Sequence, residues 1–224
     1  MNFLAHLYLA DPQPLGLLGS LMGDFVKGPL GGRYPEPITR GIMLHRRIDT
    51  FTDAHAVVRT SRTRISPGRR RFAGIMIDVF YDHFLARDWA RYCPEQLQGF
   101  SERVYALLSE HHAILPERLQ RIAPHMQQLD WLGSYRHVES IHSALDRMGQ
   151  RLSRENRLLG VTFEAEHRFD CFGRNFPVIN SGMHKFFSFP HNKYPTRGKC
   201  GQMERSWFVK CTLAKKLHKR DRRD

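Results

Sequence analysis

Met43–His55 reads MLHRRIDTFTDAH and places His45 and Asp49 four residues apart. Residues at that spacing share one face of an α-helix. From Ile38 to about Asp53 the apolar positions recur with helical rather than alternating period, so this stretch predicts a helix. A second run, Ile77–Phe84, reads IDVFYDHF and repeats the spacing with Asp78 and Asp82, adding His83. Two helices that each aim carboxylates and imidazoles one way can build a metal pocket.

Working outward, proline and glycine separate further helical segments. FLAHLYLA can start a short helix, and PLGLLGSLMGDFV predicts a second, loosened by its glycines. KGPLGGRYPEP reads as a loop. Ala54 to Ile65 predicts a short helix, and Pro67 is expected to open the next, which carries FAGIMIDVFYDHFLARDWARY. Pro94 and Pro116 punctuate QLQGFSERVYALLSEHH and ERLQRIAPHMQQL, and the last clear helix is expected from about Tyr135 to Arg151. Without alternating strands or internal repeats, residues 1–160 read as one all-α body. After Gly160 the character changes. VTFEAEHRFDCFGRNFP can form one more helix, but the rest of 161–224 mixes aromatics, proline, glycine and lysine without a sustained period. It reads as an irregular, poorly ordered basic C-terminal tail.

At 224 residues with 41% hydrophobic content, the chain is large enough for one domain with a real core, and full disorder is excluded. No apolar run approaches the ~18 residues of a membrane span. The opening MNFLAHLYLADP lacks a basic leader and carries His6 and Asp11, so a cytoplasmic protein is expected. Cys93, Cys171, Cys200 and Cys211 have no tight spacing, which suits reduced thiols rather than a disulfide framework. The net charge of +13 is uneven: residues 161–224 hold 14 basic against 6 acidic side chains, the first 160 residues 21 against 16. Such a surface attracts anionic partners.

His6, Asp24, His45, Asp49, Asp78, Asp82 and His83 all fall in apolar helical segments. Charged groups on packing faces are costly unless paired or bound to metal. Two readings stay open on this evidence: buried ion pairs with Arg40, Arg46, Arg47 or Arg87, or a metal site. Mixed His and Asp ligands suit manganese, iron or zinc, and carboxylates favour harder ions such as Mn²⁺ or Mg²⁺. A metal so held lowers the pKa of a bound water and polarises a phosphoryl oxygen.

Four blocks occur in a recognisable order: MNFLAHLYLA, GSLMGDFVKG, GIMLHRRIDTFTDAH and IDVFYDHFLARDW. Together with WLGSYRHVESIHSALDRMGQR they resemble the acyl carrier protein phosphodiesterase family. The resemblance implies a multi-helix, HD-like domain over 1–160, related to the HD-type metal-dependent phosphohydrolases. The chain departs from the broader HD pattern in having no adjacent His-Asp pair, only Asp82-His83 and the spaced His45 and Asp49. The resemblance further implies hydrolysis of the phosphodiester joining 4′-phosphopantetheine to a serine of holo-acyl carrier protein, aided by a divalent metal, Mn²⁺ before Mg²⁺ or Fe²⁺. Asp24, His45, Asp49 and Asp78, with His6, are then expected as metal ligands. Asp82 or His83 would orient the water or protonate the leaving oxygen. Arg46 and Arg47 would hold the phosphate.

Arg59, Arg62, Arg64, Arg69, Arg70 and Arg71 lie between the two motif blocks and can dock an acidic carrier protein. The alternative is a solvated helix end. For the tail, a divergent extension, an acquired basic peptide or a shifted reading frame all fit, and the abruptness of the change favours the last. His184, His191, Cys200 and Cys211 lack the close spacing of structural zinc sites. KKLHKRDRRD reads as an unspecific basic tail, so nucleic acid is not an expected partner. Two other functions remain: an HD-like hydrolase of a nucleotide or other phosphate ester, and a basic helical binding module without catalysis.

Overall fold

The computed structural model describes residues 3–150 together with Asn175, Pro177, Val178 and Ser181, all within one compact unit spanning 1–187. The expected end of the last helix at Arg151 and the tail from Val161 fall outside the described residues, apart from those four, which are helical. Every regular element among the described residues is a helix, as the periodicity predicts. They are α1 (Phe3–Tyr8), α2 (Pro14–Met22), α3 (Glu36–Ala54), α4 (Ala56–Thr63), α5 (Ala73–Arg87), α6 (Leu97–Glu110), α7 (Glu117–Gln128), α8 (Trp131–Ser134) and α9 (Val138–Gln150). None of these is long and apolar enough to cross a membrane.

α5 is the central helix. Val79 to Ala86 are buried without interruption, so it is enclosed on all sides rather than amphipathic. α1, α4 and α9 pack around it. Phe80, Phe84, Leu4, Leu7, Leu21, Met22, Ile38 and Ile42 form the innermost layer. A helix of six residues such as α1 is not stable alone. It is held by this layer and by Asp82, whose carboxylate accepts the Leu4 and Ala5 amides at 3.0 and 2.9 Å.

α2 and α3 pack backbone to backbone. A Cβ on Gly41 would lie 2.6 Å from the Gly16 carbonyl oxygen, and one on Gly19 would overlap the Ile38 carbonyl. That close approach brings Ser20 beside His45. His55, in extended conformation, ends α3, and its Nδ1 then accepts the Val57 amide to cap α4.

Several elements differ from expectation: α5 ends at Arg87 before ARDWARY is complete, α9 starts at Val138 rather than Tyr135, and three more departures concern how elements begin or end. α2 stops at Met22 instead of running to Val26, because Gly23 starts a turn that carries Asp24 away from the helix. Pro67 opens a 3₁₀ segment, Pro67–Phe72, and not α5 itself; Phe72 at φ −104° and ψ 4° separates the two. α8 has no period to betray it. It is initiated by Asp130 at φ 40°, whose carboxylate accepts the Gly133 amide and the Tyr105 hydroxyl.

Candidate metal centre

Three segments converge. α1 supplies His6, the turn after α2 supplies Asp24, and α3 supplies His45 and Asp49 one turn apart. His6 Nε2 lies 3.1 Å from Asp49 Oδ1. His45 Nε2 lies 3.5 Å from Asp49 Oδ2 and 3.7 Å from Asp24 Oδ1. The two imidazoles stack, with centroids 3.6 Å apart and planes 12° from parallel. One ligand atom from each of His6, His45 and Asp49 falls within 4.8 Å of the others. Both rings are buried, whereas the Asp49 side chain is 54% exposed, so the cluster meets solvent through Asp49.

The tautomer of His45 follows from its neighbours. Nδ1 is 2.8 Å from the Ser20 carbonyl oxygen. A carbonyl only accepts, so Nδ1 carries a proton. In the neutral ring Nε2 is then a bare lone pair facing two carboxylates. That arrangement is repulsive unless a second proton or another cation lies between them. Burial lowers the pKa of His6, and the neighbouring His45 lowers it further against the opposing hydrogen bond to Asp49. His6 Nδ1 and Asp24 Oδ2 are also buried without a hydrogen-bond partner among the described residues. Two imidazoles, two carboxylates and orphaned donor atoms fit a divalent cation of the Mn²⁺, Fe²⁺ or Zn²⁺ type.

Burial alone would raise both carboxyls, but the imidazoles override it. Asp24 is held down to about 2 by His45, and Asp49 is lowered by its hydrogen bond with His6. Both are anions at neutral pH. Asp78 is half-buried and lies outside this tight group. Burial, then repulsion from Asp49 and Asp53, pushes it up to about 6.

Asp82 and His83 are expected at the reaction centre, but the fold places their contacts elsewhere. The Asp82 carboxylate is wholly buried and faces the α1 amides. His83 Nδ1 donates to the Tyr135 carbonyl at 2.8 Å. Consecutive residues of an enclosed helix point in different directions, and these two meet α1 and the end of α8. Arg46 directs one guanidinium nitrogen to the carbonyls of Val26 and Gly28, both at 2.9 Å, and so fastens the loop after Asp24. Arg47 is exposed on α3. Of the arginine patch, Arg59, Arg70 and Arg71 are exposed, while Arg62 pairs with Asp53, one turn beyond Asp49.

Two residues that shape the centre carry no catalytic signature in the sequence. Ser20 bonds to both histidine-bearing segments. Gly23 lies flat against the His45 ring, where any Cβ would overlap it. Their signal was the small and polar spacing inside GSLMGD, within an otherwise apolar helix.

The family profile described as acyl carrier protein phosphodiesterase matches residues 1–180. The chain belongs to that family. A Yersinia pestis acyl carrier protein phosphodiesterase is 36% identical over 191 residues, covering 83% of this chain and 99% of the relative. A Serratia proteamaculans protein of the same name is 37% identical over 170 residues, covering 75% and 88%. One from Pectobacterium atrosepticum is 37% identical over 173 residues, covering 77% and 90%. No solved structure matches the chain.

The phosphodiesterase family match takes in every residue of the cluster. It also continues past Gly160, where the recognisable blocks end. Asn175, inside the matched span, donates to the buried Ser61 hydroxyl at 3.0 Å, and that hydroxyl also contacts the Tyr81 hydroxyl at 3.0 Å. At least this residue beyond Gly160 therefore joins the helical body.

Proposed function

We propose that the chain is a metal-dependent phosphodiesterase that releases 4′-phosphopantetheine from the serine of holo-acyl carrier protein. His6, His45, Asp49 and Asp24 would hold one divalent cation, with Mn²⁺ as the best candidate. The observation that carries the reading is His45 Nε2, aimed at two anionic carboxylates with its tautomer set by Ser20. Membership of the acyl carrier protein phosphodiesterase family supports the substrate. The proposal includes the relation to HD-type hydrolases that the family resemblance implies; mixed imidazole and carboxylate donors gathered from packed helices support it.

When bound, the cation would polarise the phosphodiester and acidify water at the site. The protein's own groups do the rest. Asp49 bridges the two imidazoles and reaches solvent, so it is the carboxylate that meets substrate and can accept a hydrogen bond from the attacking water. Asp24 adds the second negative charge at the same His45 nitrogen. Arg46 keeps the loop after Asp24 in place. The exposed Arg59, Arg70 and Arg71 would offer positive charge to the acidic carrier protein. The proposal includes a cytoplasmic location, which such a substrate supports.

Mass spectrometry of holo-acyl carrier protein incubated with the protein and Mn²⁺ tests the reading. Conversion to the apo mass is the expected result. An unchanged mass with folded, Mn²⁺-supplied protein would refute it.

A further inference from the structure

We infer that Ser20 is a positioning residue that sets both imidazoles of the metal centre; this rests on the metal reading above. Ser20 is fully buried in α2 and does not reach solvent. Its carbonyl nevertheless meets the His45 ring and its hydroxyl meets the His6 backbone.

The carbonyl end accepts from His45 Nδ1 at 2.8 Å, which fixes the tautomer and points Nε2 at Asp24 and Asp49. The same oxygen accepts the Gly23 amide at 3.3 Å, so the turn leading to Asp24 hangs from it as well. The hydroxyl end donates to the His6 carbonyl at 2.9 Å. That carbonyl needs a partner. In the last turn of α1 the Leu9 amide bonds to Ala5 and the Ala10 amide bonds to Leu7, which passes over His6. Orphan carbonyls at a helix end must be satisfied from outside. Ser20 does this and thereby ties the height of α1, and of His6 on it, to the residue that orients His45.

The rings stack at 3.6 Å, so a small slide of α1 changes how their nitrogens face Asp49. Losing the hydroxyl removes the restraint on His6 but leaves the backbone carbonyl that orients His45. Outer partners of metal-binding histidines typically change metal affinity by about 10–100-fold when removed.

The test is Mn²⁺ affinity of the full chain, measured by electron paramagnetic resonance titration of free Mn²⁺. Ser20→Ala should weaken binding by at least about 10-fold. Ser20→Cys, close in size but with a weaker donor, should fall between it and the wild type. The control is Ser101→Ala, another buried serine, whose hydroxyl among the described residues bonds within α6, to the Gln98 carbonyl. It should leave Mn²⁺ affinity unchanged whatever it does to thermal stability. In turnover of holo-acyl carrier protein at limiting Mn²⁺, Ser20→Ala should lower kcat with KM for the carrier protein unchanged. Wild-type affinity in Ser20→Ala, or an equal loss in Ser101→Ala, would overturn the role of Ser20 while leaving the metal site standing. Absence of Mn²⁺ binding by the wild type would overturn both.

Discussion

Replacing Asp82 with Asn separates a structural carboxylate from a catalytic one. In the wild type both oxygens are used, one by Leu4 N–H and one by Ala5 N–H. Asparagine keeps one acceptor and turns an NH₂ group toward the other amide. A buried donor left without an acceptor costs about 1–3 kcal/mol, and the facing NH₂ adds a second such group. With both oxygens accepting, the expected loss is about 2–4 kcal/mol, or roughly 4–16 °C in Tm for a domain of this size. The gap should also depend on pH. Burial pushes the Asp82 carboxyl up to about 8, with the two amides pulling the other way. A group whose folded pKa is raised favours the folded state most while protonated, below about pH 4. That contribution declines as pH rises from about 4 to 8. Asparagine does not titrate, so the stability gap should narrow between pH 5 and pH 8. Urea unfolding followed by circular dichroism at both pH values measures it. Activity per folded, metal-loaded molecule should stay within a few-fold of wild type. A variant with unchanged stability but no turnover would refute the structural assignment. A gap that stays constant between pH 5 and pH 8 would mean that the α1 amides hold Asp82 as the anion.

Gly23→Ala should displace the His45 ring, which a Cβ would overlap, and weaken Mn²⁺ binding more than it lowers Tm; equal affinity in a calorimetric titration would contradict the packing. Reversing the exposed patch with Arg59→Glu, Arg70→Glu and Arg71→Glu should raise KM for holo-acyl carrier protein without changing kcat. Added salt should raise the wild-type KM toward the variant's value, because exposed charges are screened over about 8–10 Å at physiological ionic strength. A salt-independent KM would remove the patch from docking. Gly41→Ala should destabilise by about 1–3 kcal/mol, because its Cβ meets the Gly16 carbonyl at 2.6 Å; a Tm equal to wild type would show that α2 and α3 can separate.

Local periodicity made much of this architecture legible. α3 follows from apolar spacing, and His45 with Asp49 follows from a four-residue interval that any helix converts into a shared face. The partners across the fold were less legible. His6 meets Asp49 across 43 positions and Asp82 meets the α1 amides across 77 and 78, and no local pattern encodes such pairings. A buried acid in an apolar helix announces that it needs a partner, not which one. Asp82 found backbone amides, Asp24 found an imidazole, and the sequence context of the two is similar. Ser20 was invisible for a related reason: its role depends on a helix end opposite it and on glycines that let α2 and α3 touch.

Mn²⁺ binding by the wild type and by a His45→Ala/Asp49→Ala variant, with folding verified by circular dichroism, tests the metal centre most directly. One equivalent of Mn²⁺ on the wild type and none on the folded variant is the expected result. Equal binding by the two proteins, or none by the wild type, would contradict a centre built on His6, His45, Asp49 and Asp24.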